Sequence, residues 1–162
     1  MLDRQPAGLL RWLLRLPISL YRWGLGGLLG DRFLLLHHRG RKSGQPRRTA
    51  LEVIEADHRA GRYLVAAAWG ERADWLLNLR AEPQVEIEVG GRRWPARASE
   101  LTLDQARAAF DRYQRQHPLA SQALGPVLGY DLRQVGDRQR MAERVPVVAL
   151  TVTETDRTED DR

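Results

Sequence analysis

Ten consecutive residues, Gly40-Arg41-Lys42-Ser43-Gly44-Gln45-Pro46-Arg47-Arg48-Thr49, carry four cations, two hydroxyls and two glycines. That composition suits a site for a phosphate. Glycines let the backbone take positive φ and aim successive N–H groups at one anion, while Lys and Arg add charge and forked donors. The alternative is a plain solvated hairpin tip, since a charged turn costs nothing there. A Walker A loop is excluded, because Arg41 rather than Gly precedes Lys42-Ser43 and the following residues read as a strand, not a helix. Ser43 also lacks the Gly-x-Ser-x-Gly setting of an activated nucleophile, which makes a hydrolase a weak reading.

Other residue types offer less. His37 and His38 are adjacent, so on a strand they face opposite sides and cannot chelate one ion, and His58 and His117 fall in a turn and at a helix end. No metal-ligand spacing is present and no metal is expected. Glu86 and Glu88 alternate on a solvent face rather than forming an acid/base pair. Asn78, in Trp75-Leu76-Leu77-Asn78-Leu79-Arg80-Ala81-Glu82-Pro83, sits among apolar residues. A buried amide must be hydrogen-bonded, so Asn78 either ties down a neighbouring backbone loop, the favoured role, or meets a ligand. Trp69 and Trp75 supply flat surfaces for a planar heterocycle or fill core volume.

The elements that must position these groups follow from periodicity. The basic turn lies between the apolar runs Phe33 to His38 and Ala50 to Ile54, which places it at a hairpin tip. Leu51 to Glu55 alternates imperfectly, Asp57 to Gly61 turns, and Arg62 to Ala68 returns as a third strand. Trp69 to Arg72 reads as a loop and Asp74 to Ala81 as a short helix stopped by Pro83. Val85, Ile87 and Val89 alternate with Glu86 and Glu88, Gly90-Gly91 makes a tight turn, and Trp94 to Ala98 pairs back. Helices are expected over residues 103–116, 119–128 and about 137–144, before a last strand from Val145 to Val152. About six strands interrupted by helices, without β-α-β alternation, predict an α+β fold around a small antiparallel barrel.

Of 162 residues, 43% are hydrophobic and none is cysteine, which fits a single cytoplasmic domain without disulfides or a thiolate nucleophile. Twenty-six Lys and Arg against 21 Asp and Glu give a net +5, compatible with anionic ligands or a membrane surface. The basic turn lacks interleaved aromatics, so nucleic acid is not an expected partner. Three segments are predicted: an amphipathic helix over residues 1–30, the barrel over 31–153 and a disordered acidic tail over 154–162. Arg4, Arg11, Arg15 and Arg22 align on one helical stripe against Leu- and Trp-rich neighbours, a pattern that suits peripheral contact with a membrane through residues 8–29 or packing on the domain's own core. Those arginines and Pro17 exclude a spanning helix.

Three separated stretches, residues 40–47, Trp75 to Pro83 and Arg144-Val145-Pro146-Val147-Val148, resemble the deazaflavin (F420)-dependent nitroreductase family in order and spacing. The resemblance implies a split β-barrel like that of FMN-binding flavin reductases, with an N-terminal amphipathic helix and C-terminal helices. It implies that coenzyme F420 is bound, its phosphate and anionic tail meeting Arg41, Lys42, Ser43, Gly44 and Arg47 and its ring lying along Ala66, Ala67, Ala68, Trp69 and Trp75. It also implies hydride transfer from the reduced deazaflavin to a quinone, nitroaromatic or similar acceptor, without a catalytic side chain. Tyr113 and Tyr130 are candidates for hydrogen bonding the acceptor, and a homodimer is an expected assembly. FMN is the alternative cofactor, and a non-catalytic flavin or apolar-ligand carrier on the same barrel is the alternative function. Ala68-Trp69-Gly70-Glu71 departs from the family's Ser-Lys-Gly-Gly-like stretch, Asp74 replaces a Pro or apolar residue, and Leu119 to Gly136 is extra helix.

Overall fold

The computed structural model describes residues 30–153; the helix expected over residues 1–30 and the tail at 154–162 otherwise lie outside the described residues. Six strands, β1 (Phe33–Arg39), β2 (Pro46–Asp57), β3 (Arg62–Ala66), β4 (Gln84–Val89), β5 (Arg92–Glu100) and β6 (Val147–Val152), close into an antiparallel barrel in the order β1-β2-β3-β6-β5-β4. Among the described residues four α-helices accompany them: α1 (Asp74–Ala81), α2 (Leu103–Gln116), α3 (Pro118–Leu128) and α4 (Val135–Arg144).

Period-2 alternation decides which side chains fill the barrel. Leu34 and Leu36 of β1, Val85, Ile87 and Val89 of β4, Ala96 and Ala98 of β5, and Val148 and Leu150 of β6 all point inward. Helix α1 adds Trp75, Leu76 and Leu79 to the same core, each contributing about 1.5–3 kcal/mol through burial. The opposite faces of β3 and β6, through Leu64, Val147 and Ala149, pack under Phe110 and Tyr113 of α2 and Met141 of α4. Thr102 caps α2 by accepting from the Gln105 amide, and the Gln105 side chain accepts from the Thr102 amide.

The irregular alternation of β2 is a β-bulge. Val53 pairs with Val65 but Glu55 pairs with Leu64, so Ile54 is the extra residue and turns outward into the helix-covered cluster. At the β4–β5 turn, Gly90 and Gly91 have φ of 58° and 79°, a two-residue turn whose sign only glycine adopts freely.

Several boundaries differ from the sequence expectation. Strand β2 begins at Pro46, so Arg47, Arg48 and Thr49 are strand residues opposite His38, His37 and Leu36. Strand β3 stops at Ala66 and β6 starts at Val147, shorter than expected at one shared end. The cause is Pro146, which has no N–H to continue the ladder, while the Val145 amide caps α4 by donating to Met141 O. Helix α4 starts two residues early, at Val135, and a single 3-10 turn occupies Gly70–Arg72.

Candidate functional site

The basic turn closes on itself first. Gly44 N donates to Gly40 O at 2.7 Å and Gly40 N to Gln45 O at 2.9 Å, and Gly44 sits at φ 67°. A Cβ on Gly40 would come within 2.6 Å of Ser43 Oγ, so a side chain there would displace the Ser43 hydroxyl from its place in the turn. Ser43 Oγ accepts from Gln45 N at 3.2 Å, which fixes the hydroxyl in the turn while leaving its own proton free to donate.

Helix α1 then fixes the turn's position. Asp74 and Asn78 stand four residues apart on one face of α1 and both reach Arg41. The Arg41 amide donates to Asn78 Oδ1 at 3.0 Å, and Arg41 Nη1 donates to Asn78 Oδ1 at 3.0 Å and to Asp74 Oδ1 at 3.1 Å. Asn78 Nδ2 faces His38 Nδ1 at 3.1 Å, and His38 Nε2 faces Thr49 Oγ1 at 3.1 Å. Because the Asn78 carbonyl oxygen is taken by two donors, its amide group must donate to Nδ1, so His38 is the neutral tautomer with its proton on Nε2. A chain of polar contacts thus runs from Thr49 through His38 and Asn78 to Arg41. Arg80, two residues beyond Asn78 along α1, pairs with Glu71 and Glu100 and pins the helix to β5.

Burial, with the nearby Arg47 charge, lowers the His38 pKa from 6.5 to about 4. The folded value lies below the unfolded one, so the contribution of neutral His38 is complete above about pH 6.5 and is lost as pH falls toward 4. The loss is at most roughly 3 kcal/mol. Chemical denaturation across pH 7 to 4 should show this decline, and His38→Gln should flatten it; equal slopes would remove His38 as its source.

Around this scaffold lies a cleft of about 630 Å³ lined by the turn, by Arg47, Arg48 and Thr49 of β2, and by Trp69, Trp75 and the start of α1. Its volume falls in the range of small-molecule and cofactor sites. Lys42, Arg47 and Arg48 are exposed and have no acidic partner among the described residues. Trp75 is buried in the barrel core and Trp69 is half-buried, so both indoles border the cleft from fixed positions. Unpaired cations and two indoles in one cleft fit a planar ring carrying a phosphate.

Of the residues singled out from sequence, Arg41, Lys42, Ser43, Arg47, Trp69 and Trp75 come together in this cleft. Gly44 lies behind it, accepting from Arg39 Nη1 through its carbonyl. Ala67 is buried in the barrel core, and Ala66 and Ala68 pack against the helix-covered cluster. Tyr113 lines a different cleft between β2 and α2, where its hydroxyl donates to Glu52 Oε1 at 3.0 Å and burial raises its pKa. Tyr130 lines a third, beside Ser121 and Asp131. The cleft also recruits His38, Arg48, Thr49, Arg72, Asp74 and Asn78. Of these, Arg48 and Thr49 were signalled by the basic stretch and Asn78 by its apolar setting; His38, Arg72 and Asp74 carried no such signal in the sequence.

A closed six-stranded antiparallel barrel in this strand order defines the split-barrel fold. A pyridoxamine 5′-phosphate oxidase-related, FMN-binding protein from Nostoc punctiforme shares the fold at a TM-score of 0.53 and 13% identity, over 94% of this chain and 83% of that one. An F420-H2 dependent reductase (FDR-A) matches at a TM-score of 0.51 and 22% identity, over 75% and 96%. The sequence itself is more specific: the model of the F420H(2)-dependent quinone reductase family matches residues 21–124, and the chain belongs to that family. An F420H(2)-dependent quinone reductase of Mycobacterium tuberculosis H37Rv and a putative one of Mycobacterium bovis are each 40% identical over 91 residues. These matches cover 51% of this chain, which spans 58% of each relative's length.

Proposed function

We propose that the protein is an oxidoreductase that passes a hydride from reduced coenzyme F420 to a quinone. The observation that carries this reading is the meeting of unpaired Lys42, Arg47 and Arg48 with Trp69 and Trp75 in one cleft of a chain from this family. When bound, the coenzyme supplies the hydride. The chain's residues bind, orient and shield. Lys42 and Arg47 would hold phosphate and carboxylate oxygens by charge-assisted hydrogen bonds, and Ser43 would donate its free hydroxyl proton. Arg41 keeps the turn in register with α1 through Asn78. Trp69 and Trp75 would offer flat surfaces to the ring, restricting its pose and excluding water.

Nitroaromatics are a second acceptor class in the same reading. So is delivery of a membrane-held quinone through residues 8–29, which lie outside the described residues. Among the described residues no helix is long and apolar enough to cross a membrane.

Fluorescence titration with coenzyme F420 and, separately, FMN tests the proposal, followed by addition of menadione to the reduced complex. Saturable F420 binding and menadione-dependent reoxidation support it. Binding of FMN alone favours a flavin carrier on the same barrel, and binding of neither removes the cofactor assignment.

A further inference from the structure

Of the 26 Lys and Arg residues, Lys42 is the one lysine. It stands exposed in the β1–β2 turn, lines the cleft and has no acidic partner among the described residues. The difference from arginine is chemical. A guanidinium keeps its proton and does not act as a nucleophile, whereas an ammonium that gives up a proton becomes an amine able to attack an activated carbonyl. Lys42 is therefore the one side chain here whose positive charge an acyl group can remove.

The surroundings of Lys42 select the acyl donor. Arg41, Arg47, Arg48 and Arg72 line the same cleft against a single carboxylate, Asp74, which is engaged with Arg41. Such a lining attracts anions, the more strongly the higher their charge. A Cβ at Gly40 would lie 2.6 Å from Ser43 Oγ and 3.6 Å from Arg47 Nε, so a hydroxyl and a guanidinium converge beside the turn that carries Lys42.

We propose that Lys42 is an acylation site whose donor is an acyl phosphate. The donor's phosphate is drawn to the arginines, and Lys42 Nζ, once unprotonated, attacks the carbonyl carbon. The N–C bond forms, the bond from that carbon to the bridging phosphate oxygen breaks, inorganic phosphate leaves with the electron pair, and the proton lost from nitrogen passes to water. Nothing is oxidised or reduced. The product is an uncharged amide, so acylation takes one cation from the cleft and weakens its hold on an anionic coenzyme. That consequence rests on the coenzyme F420 reading; the acylation itself does not.

The experiment treats the full chain with acetyl phosphate and, separately, with N-acetoxysuccinimide, an uncharged acetyl donor, and locates adducts by peptide mass mapping. Both donors are expected to acetylate Lys42, with inorganic pyrophosphate competing against acetyl phosphate alone. Replacing Arg47 and Arg48 by alanine is expected to lower the ratio of the acetyl phosphate rate to the uncharged donor's rate at least about tenfold. Taking the ratio cancels any change in the amine's own reactivity. No Lys42 adduct from acetyl phosphate, or an unchanged ratio in the variant, would overturn the proposal. The acetylated chain is then expected to bind coenzyme F420 about tenfold more weakly than the untreated chain, whereas the same treatment leaves the affinity of Lys42→Arg where it began. Equal affinity of the acetylated and untreated chains would overturn the consequence. An untreated chain that does not bind coenzyme F420 would instead count against the functional reading, with the comparison of donors still standing.

Discussion

Replacing Lys42 and Arg47 together by alanine is expected to weaken coenzyme F420 binding at least about a hundredfold without moving the unfolding midpoint. Both side chains are exposed and neither has an acidic partner among the described residues, so the fold does not depend on them. Each charge-assisted hydrogen bond to an anion contributes about 1.5–3 kcal/mol, and every 1.4 kcal/mol is tenfold in affinity. The control is Arg97→Ala with Arg115→Ala, two exposed arginines outside the cleft that remove the same net charge. A general attraction between a basic protein and an anionic ligand would weaken both variants alike. A site at the hairpin tip weakens only the first. Removing Arg47 also takes away one cation that depresses the His38 pKa, so that pKa should rise in the variant.

Asn78→Leu carries the other large effect. It deprives the Arg41 amide and guanidinium of their acceptor and His38 Nδ1 of its donor. Three hydrogen bonds lost in a part-buried setting amount to about 3–5 kcal/mol, and the turn is freed from α1. Asn78→Asp makes a sharper test. It keeps the acceptor for Arg41 but places a carboxylate beside His38 Nδ1, which favours the imidazolium and raises the folded His38 pKa above the unfolded value. That contribution is then complete below about pH 6.5 and is lost as pH rises through the raised pKa, opposite to the wild-type behaviour. Denaturant midpoints from pH 5 to 8 measure both slopes. Parallel profiles for the wild type and Asn78→Asp would mean that Asn78 and His38 are not coupled.

Local signals made much of the barrel readable from residues alone. Strict alternation in Val85, Ile87 and Val89, the Gly90-Gly91 turn, and the span of α1 from Asp74 to Ala81 ahead of Pro83 correspond to the structure because each depends on neighbours in sequence. The strand ends did not, because they are set across the sheet: Ala67 leaves the ladder where Pro146, 79 positions away in the chain, cannot donate to it. The candidate site divides in the same way. Arg41, Lys42, Ser43 and Arg47 announce themselves by composition, and Asn78 by its apolar setting. That Asn78 meets Arg41, or that Asp74 shares its guanidinium, depends on how α1 docks, which no local pattern reports. The place of Tyr113 was not legible for the same reason: α2 lies on the outer face of β2 and β3, so Tyr113 lines a cleft separate from that of the cationic turn.

Closure of the barrel also restricts how two copies could associate. Every strand from β1 to β6 is paired on both sides, so none of them presents a free row of backbone N–H and C=O groups to a second chain. Strand addition, whether in an ordered dimer or in an aggregate, would first require breaking a ladder that belongs to the core. Among the described residues, self-association of the barrel walls therefore rests on side chains, where a few surface substitutions can create or abolish it without disturbing the fold.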